Sequence, residues 1–191
     1  MVEDPDAALF LKVAQGDESA FATLFDRHQQ SIVRFAYRYV GSRARAEELA
    51  QDIFVKLFKN AKSYRPDAKF KTFMFRVATN HCLNELRRPF QHAETAMSEP
   101  PDTQEAPERP DAALDGVRLE QAVHAALGGM SERERAAFCM CRFEGLPYRD
   151  IAEALDASEA AVKSLIHRAT LQVMKQVELL KAGLQPARSE A

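Results

Sequence analysis

The stretch Leu146-Pro147-Tyr148-Arg149-Asp150-Ile151-Ala152-Glu153-Ala154-Leu155-Asp156-Ala157-Ser158-Glu159-Ala160-Ala161-Val162-Lys163-Ser164-Leu165-Ile166-His167-Arg168 decides how the chain is read. Pro147 suits the first turn of a helix, where a missing N–H costs nothing. Ile151, Ala152 and Leu155 have the spacing of one inner face. Leu155 to Ser158 makes a turn, and the Ser158 hydroxyl can cap the helix that follows. On that second helix Val162, Leu165, Ile166, Ala169 and Val173 fall within one arc of about 100°. The opposite arc gathers Ala160, Lys163, Ser164, His167 and Arg168. Small residues, hydrogen-bond donors and cations on one face suit a helix entering the DNA major groove. The pattern is that of a helix-turn-helix, and an ordinary helical hairpin with a solvated face is the bland alternative.

Outward from this stretch the chain reads as helix throughout. Ala, Leu, Glu, Arg and Lys dominate, and β-branched alternation is missing. Ser131-Glu132-Arg133-Glu134 is a capping box that opens a helix ending near Gly145. A helix over about Val117–Leu127 precedes it. The final helix should reach about Lys181. Toward the N-terminus, Gly16-Asp17 separates a short helix from a second ending near Val40. Ser42 can cap a third over about Arg43–Lys62, and a fourth spans about Phe70–Arg88 and stops at Pro89.

Residues 93–115 break this pattern. Four of the nine prolines lie there, at Pro100, Pro101, Pro107 and Pro110, and apolar periodicity vanishes. Proline and like charge favour an extended tether, with an ordered acidic loop as the alternative. The expected organisation is all-α: two small helical domains, 1–91 and 117–183, joined by a flexible acidic linker at 92–116, with a tail at 184–191.

Charge follows the same division. The whole chain carries 26 Lys/Arg and 28 Asp/Glu, a net charge of −2. Residues 1–91 hold 15 basic and 11 acidic groups, residues 92–116 hold 1 and 7, and residues 117–191 hold 10 and 10. Within the first block, residues 62–91 hold 7 basic and 2 acidic groups. Attraction to phosphate depends on this local field rather than on the total.

The fourth helix and the loop before it carry the first domain's chemistry. Tyr64, Arg65, Lys69 and Lys71 come first, then Thr72, Phe73, Arg76, Thr79, Asn80 and Arg87 along one side. Cations track a phosphate backbone, aromatics stack on unpaired bases, and an amide reads a base edge. The set suits melted DNA better than intact duplex; a core aromatic cluster with a solvated cationic face is equally consistent. On the third helix Leu49, Ile53 and Leu57 suit the core. Glu47, Glu48, Gln51, Asp52, Val55, Lys56 and Lys59 form a mixed face suited to a partner protein.

Gly16 to Phe21, Phe35 to Arg38, Ala46 to Phe54, Phe70 to Asn80 and Leu86 to Arg88 together closely resemble the second region of bacterial sigma factors of the extracytoplasmic-function group. Glu144 to Glu153, Val162 to Ser164 and His167 to Ala169 resemble the fourth region of the same group. Two motifs in order with a spacer are far more specific than either alone.

The resemblance implies that Glu47 to Asn60 docks on the clamp coiled coil of the largest RNA polymerase subunit, and that the second domain meets the flap of the second-largest. It implies that Tyr64 to Lys71, with Arg76 and Asn80, recognises and melts the -10 element. There a flipped base costs a few kcal/mol of unstacking. Ala160 to Arg168 would read the -35 element as duplex, the acidic linker would thread the polymerase interior, and an anti-sigma partner would hold the factor inactive. Phe73 stands where the family often has Trp, Leu165 where Arg is frequent, and Asp156 where a turn Gly is common.

Other functions fit the residues less well. A free-standing helix-turn-helix regulator would not need the basic helix or the docking face. An enzyme would need a glycine-rich phosphate loop, a His-Glu-x-x-His pattern or paired ligands. His28, His81, His92, His124 and His167 are scattered, and His81 reads as a core histidine. Cys82, Cys139 and Cys141 are too few for a disulfide framework, and Cys139-Met140-Cys141 has the wrong spacing for zinc. No cofactor or metal is expected. The acidic start lacks a signal peptide's features and no apolar run approaches a membrane span, so a cytoplasmic protein is expected.

Overall fold

The computed structural model describes residues 4–87 and 110–183. Among them are eight α-helices and one short 3-10 turn, and no strand. The first module comprises α1 (Pro5–Ala14), α2 (Glu18–Val40), α3 (Arg43–Lys59) and α4 (Phe70–Arg87). The second comprises α5 (Pro110–Gly128), α6 (Glu132–Arg142), α7 (Tyr148–Ala154) and α8 (Glu159–Lys181).

Short polar side chains start most of these helices by satisfying orphan N–H groups. Asp17 accepts from the Ala20 amide, Ser42 from Arg45 and Ser158 from Ala161. The capping box at Ser131 and Glu134 is present in full. Gly41 ends α2 in the left-handed conformation at φ +69°, as glycine can without strain. A Cβ there would also meet the His124 ring at 3.0 Å. Asp156, in the helix-turn-helix turn, has φ +48°, so Asp does serve where glycine is common.

Two boundaries differ from those expected. The third helix stops at Lys59, and Ala61–Ser63 continues as a 3-10 turn. The helix expected from Val117 begins at Pro110, the last proline of the stretch read as a tether. Proline at the first helical position fits there, because its ring fixes φ near the helical value. The residues 92–109 of that stretch, the stop at Arg88 and Pro89, His92 and the tail lie outside the described residues.

Each module buries its own apolar face. Leu24, Ile32, Phe35, Leu49, Ile53, Leu57, Met74 and Phe75 are almost fully buried in the first. Ala136, Ala137, Cys139, Met140, Ile151, Val162 and Ile166 fill the second. The two modules abut through α4 against α6 and α7, and α2 against α5.

Candidate nucleic-acid interface

In the second module, α6, α7 and α8 hold the helix-turn-helix. Val162, Leu165, Ile166 and Ala169 face inward. Leu165 therefore occupies a core position. Ser158, Ala160, Lys163, Ser164, His167 and Arg168 are all exposed, on the face expected. Three of them have local partners. Ser158 caps α8, the Ser164 hydroxyl donates to the Ala160 carbonyl at 3.1 Å, and Arg168 Nε donates to Glu134 at 2.6 Å. The Glu134 carboxylate also accepts from the Ser131 amide and hydroxyl. This one carboxylate thus caps α6 and pins the guanidinium of α8. The Arg168 hydrogen bond, ahead of those from Ser131, holds its pKa below the ordinary carboxylate value.

In the first module the ten candidate residues separate into two sets. Arg65, Lys69, Arg76, Asn80 and Arg87 are exposed, and Lys71 is half-buried. Arg76, Asn80 and Arg87 lie along one side of α4, at spacings near whole helical turns. Asn84 lies on the same stripe and is exposed. The sequence reading missed it, although its four-residue step from Asn80 was the available signal. Tyr64, Thr72, Phe73 and Thr79 are buried, the two threonines at 2% exposure. Thr72, Phe73 and Thr79 lie on the arc of α4 that faces the core and Tyr64 in the loop before it, so here they support the surface rather than form it.

The reason lies in α1. Phe10 sits among Tyr64, Phe70 and Phe73, with ring centroids 5.2, 4.8 and 5.7 Å away. That short helix roofs the loop before α4 and takes up its aromatic rings. The Tyr64 hydroxyl donates to the Ala68 carbonyl at 2.7 Å and closes the loop on itself. Burial pushes the Tyr64 phenol up to about 12. Arg76 lies over the Phe73 ring at 5.3 Å, a cation-π contact that props the guanidinium outward.

The docking face on α3 is present as a surface. Glu47, Glu48, Gln51, Asp52, Val55 and Lys59 are exposed, and Lys56 is half-buried. Val55 is 50% exposed, and Phe58, inside the docking range Glu47 to Asn60 but not named on its face, is 43% exposed beside it. His81 of α4 is buried behind this face. Its Nδ1 meets Lys56 Nζ at 2.5 Å, and its Nε2 lies 3.5 Å from Asp52. Among the described residues no three His, Cys, Asp or Glu side chains are grouped to hold a metal ion. No described helix is long and apolar enough to cross a membrane.

Comparison with known proteins gives the same two modules. Residues 24–89 match the sigma-70 region 2 model, and residues 120–172 match the sigma-70 region 4 model. The RNA polymerase sigma-H factor of Pseudomonas aeruginosa is 30% identical over 199 aligned positions, spanning all of both chains. An ECF RNA polymerase sigma-E factor from Haemophilus influenzae is 30% identical over 92% of this chain and 96% of its own. The fold is shared with a sigma factor of Bartonella quintana solved in complex with the anti-sigma factor NepR. That chain is 18% identical with a TM-score of 0.63, over 83% of this chain and 97% of that one. The chain therefore belongs to the bacterial sigma-70 family, in its extracytoplasmic-function group, and is a factor of promoter-specific transcription initiation that works with the core of RNA polymerase.

Proposed function

We propose a division of labour along the chain. The exposed α3 face, with Val55 and Phe58 at its centre, docks the polymerase clamp. The basic stripe of α4 captures the -10 element as it melts. The outer face of α8 reads the -35 element as duplex. Catalysis belongs to the polymerase, and this chain is not an enzyme. It works in the cytoplasm. An anti-sigma factor is its expected inhibitor; the Bartonella quintana sigma factor was solved in complex with one.

One observation carries the -10 assignment. Arg76, Asn80, Asn84 and Arg87 make an exposed ridge of guanidinium and amide groups on one helix, with Arg65 and Lys69 exposed in the loop before it. Guanidinium groups follow phosphates and amides match base edges, so the ridge can hold a strand as it leaves the duplex. Base stacking, where it occurs, must come from guanidinium planes or the ring edges at the surface, because Tyr64 and Phe73 are engaged by Phe10.

The test is run-off transcription with purified core enzyme, with permanganate footprinting of the melted bases. Asn80→Ala and Arg76→Ala should each lower open-complex formation about ten-fold, equivalent to about 1.4 kcal/mol, within the range for one base contact. Core binding should be unchanged. Equal loss of both activities would overturn the assignment of this face.

A further inference from the structure

The start of α6 reaches across to the helix-turn-helix in two places. Arg133 Nη2 donates to the Leu155 carbonyl at 3.1 Å, at the turn between α7 and α8. Next to it in the chain, Glu134 Oε1 accepts from Arg168 Nε at 2.6 Å. The other oxygen of that carboxylate, Oε2, accepts from the Ser131 amide at 3.1 Å and the Ser131 hydroxyl at 2.8 Å. Each oxygen has its own task, and the Glu134 side chain, 11% exposed, cannot turn without giving up both. Its lowered pKa keeps it an anion throughout the neutral range.

Arg168 is placed differently. Its side chain is 56% exposed on the outer face of α8. Nε is the atom that is held, so the two Nη groups at the outer end of the guanidinium are left for a ligand. Direction is one consequence: a planar fork fixed at one edge aims its remaining donors one way. Charge is the other. A carboxylate at 2.6 Å balances the guanidinium, so the pair offers a phosphate little net attraction. Phosphates recur along any duplex and reward mobile net charge. A guanine edge presents two acceptors, O6 and N7, in fixed geometry and rewards a fixed fork.

We infer that Glu134 is a positioning residue that makes Arg168 a reader of a guanine edge and a poor general ligand for phosphate. The inference deepens the reading of the α8 face as the -35 surface and rests on it. Specificity is a difference between affinities, so lowering the affinity for all other DNA counts as much as raising that for the promoter. An acidic residue behind a DNA-facing helix, which by charge alone only weakens binding, gains a purpose in this way.

The test uses holoenzyme assembled from core polymerase and the full chain. Glu134→Gln removes the charge and keeps the cap, because Gln serves at that capping-box position. Arg168→Lys keeps the cation, loses the fork and leaves the start of α6 untouched. Circular dichroism checks that each variant is folded. Duplexes randomised over the upstream element are selected by binding, and the base profile is read. Binding of one mixed-sequence duplex is followed against salt.

The native profile should contain a G·C pair whose preference falls about three- to ten-fold in Glu134→Gln, and the same pair should weaken in Arg168→Lys and Arg168→Ala. The mixed-sequence duplex should bind Glu134→Gln about two- to three-fold more tightly, with a salt slope steeper by up to about 0.9, as Arg168 becomes a net cation. Arg168→Ala in that background should remove the gain. A Glu134 that only supports the fold would weaken binding to every duplex alike, and that result would overturn the inference. So would an unchanged profile, or changes at different base pairs in the Glu134 and Arg168 variants. Lys163→Ala separates this from failure of the α8 assignment. If Lys163→Ala and Arg168→Ala both leave profile and affinity unchanged, the face does not meet DNA and both readings fall. If Lys163→Ala weakens promoter binding while Glu134→Gln changes nothing, the positioning role alone falls.

Discussion

Replacing Asp4 should loosen the first module more than any other single change to an exposed or half-buried side chain near the N-terminus. Its two carboxylate oxygens cap two helices at once. Oδ1 accepts from the Asp6 amide at 3.0 Å, opening α1, and Oδ2 accepts from the Phe70 amide at 2.8 Å, opening α4. Loss of one N-cap costs about 1 kcal/mol. Losing two, with the favourable interaction of one negative charge with two helix N-termini, gives about 2–3 kcal/mol for Asp4→Ala. Asp4→Asn keeps one good acceptor and should cost about half as much.

Urea unfolding followed by circular dichroism is the assay. At a slope of about 1–3 kcal/mol per molar, the midpoint for Asp4→Ala should fall by about 1 M or more. Hydrogen exchange should quicken first at Phe70 to Phe73, because the same carboxylate fixes α1 over the start of α4. A change below about 0.5 kcal/mol, or equal loss in the alanine and asparagine variants, would refute the double-cap account.

Thiol chemistry and pH give two further expectations. Burial pushes the Cys82 and Cys139 thiols up to about 12, so both stay protonated and shielded, whereas Cys141 is half-buried. A disulfide-exchange reagent should react quickly with Cys141 and far more slowly with the other two; three equal rates would contradict the packed seam. Burial also lowers the pKa of His81 and His124 below the ordinary histidine value. Well above pH 6.5 both are neutral whether the chain is folded or unfolded, so they add no pH dependence there. As pH falls below that value the unfolded chain takes up protons first, and stability should decline. Glu134 and Asp17, with lowered carboxylate values, contribute stability above their unfolded values near 4.5 and 3.8 that is lost only at lower pH. The window from about pH 6.5 to 5 therefore isolates the histidines, and His124→Gln should flatten the decline there. A urea midpoint constant across that window would show that neither histidine is held neutral.

Much of this architecture is legible in the sequence, because helix periodicity and capping are local. Leu49, Ile53 and Leu57 recur at four residues and are buried. Ser42, Ser131 and Ser158 are caps, and Asp156 is the turn residue. The outer face of α8 follows from its inner face by geometry alone. The aromatic half of the candidate -10 surface was not legible. A cluster of Tyr64, Phe70 and Phe73 beside cations has the same composition whether its rings meet bases or a roof. What decides between the two is Phe10, sixty residues away on α1, and no local pattern reports that pairing.

The seam escaped for a related reason. Glu144 and Asp150 stand at positions that any periodic reading assigns to solvent, since each is polar and lies outside its own module's apolar arc. Their side-chain partners, Ser31 and Arg38 for Glu144 and Lys69 for Asp150, come from a second folded surface. A polar residue covered by a neighbouring module looks, in sequence, like one that faces water. The chemistry of the covering contacts then matters for function. A purely apolar contact between modules costs more to open as the area it exposes grows. Ammonium–carboxylate contacts at a half-exposed rim cost little to open and recover nearly their full value on phosphate. Lys69, Lys71 and Arg87, proposed above to meet DNA, are thus the cations that oxygens of the second module already meet.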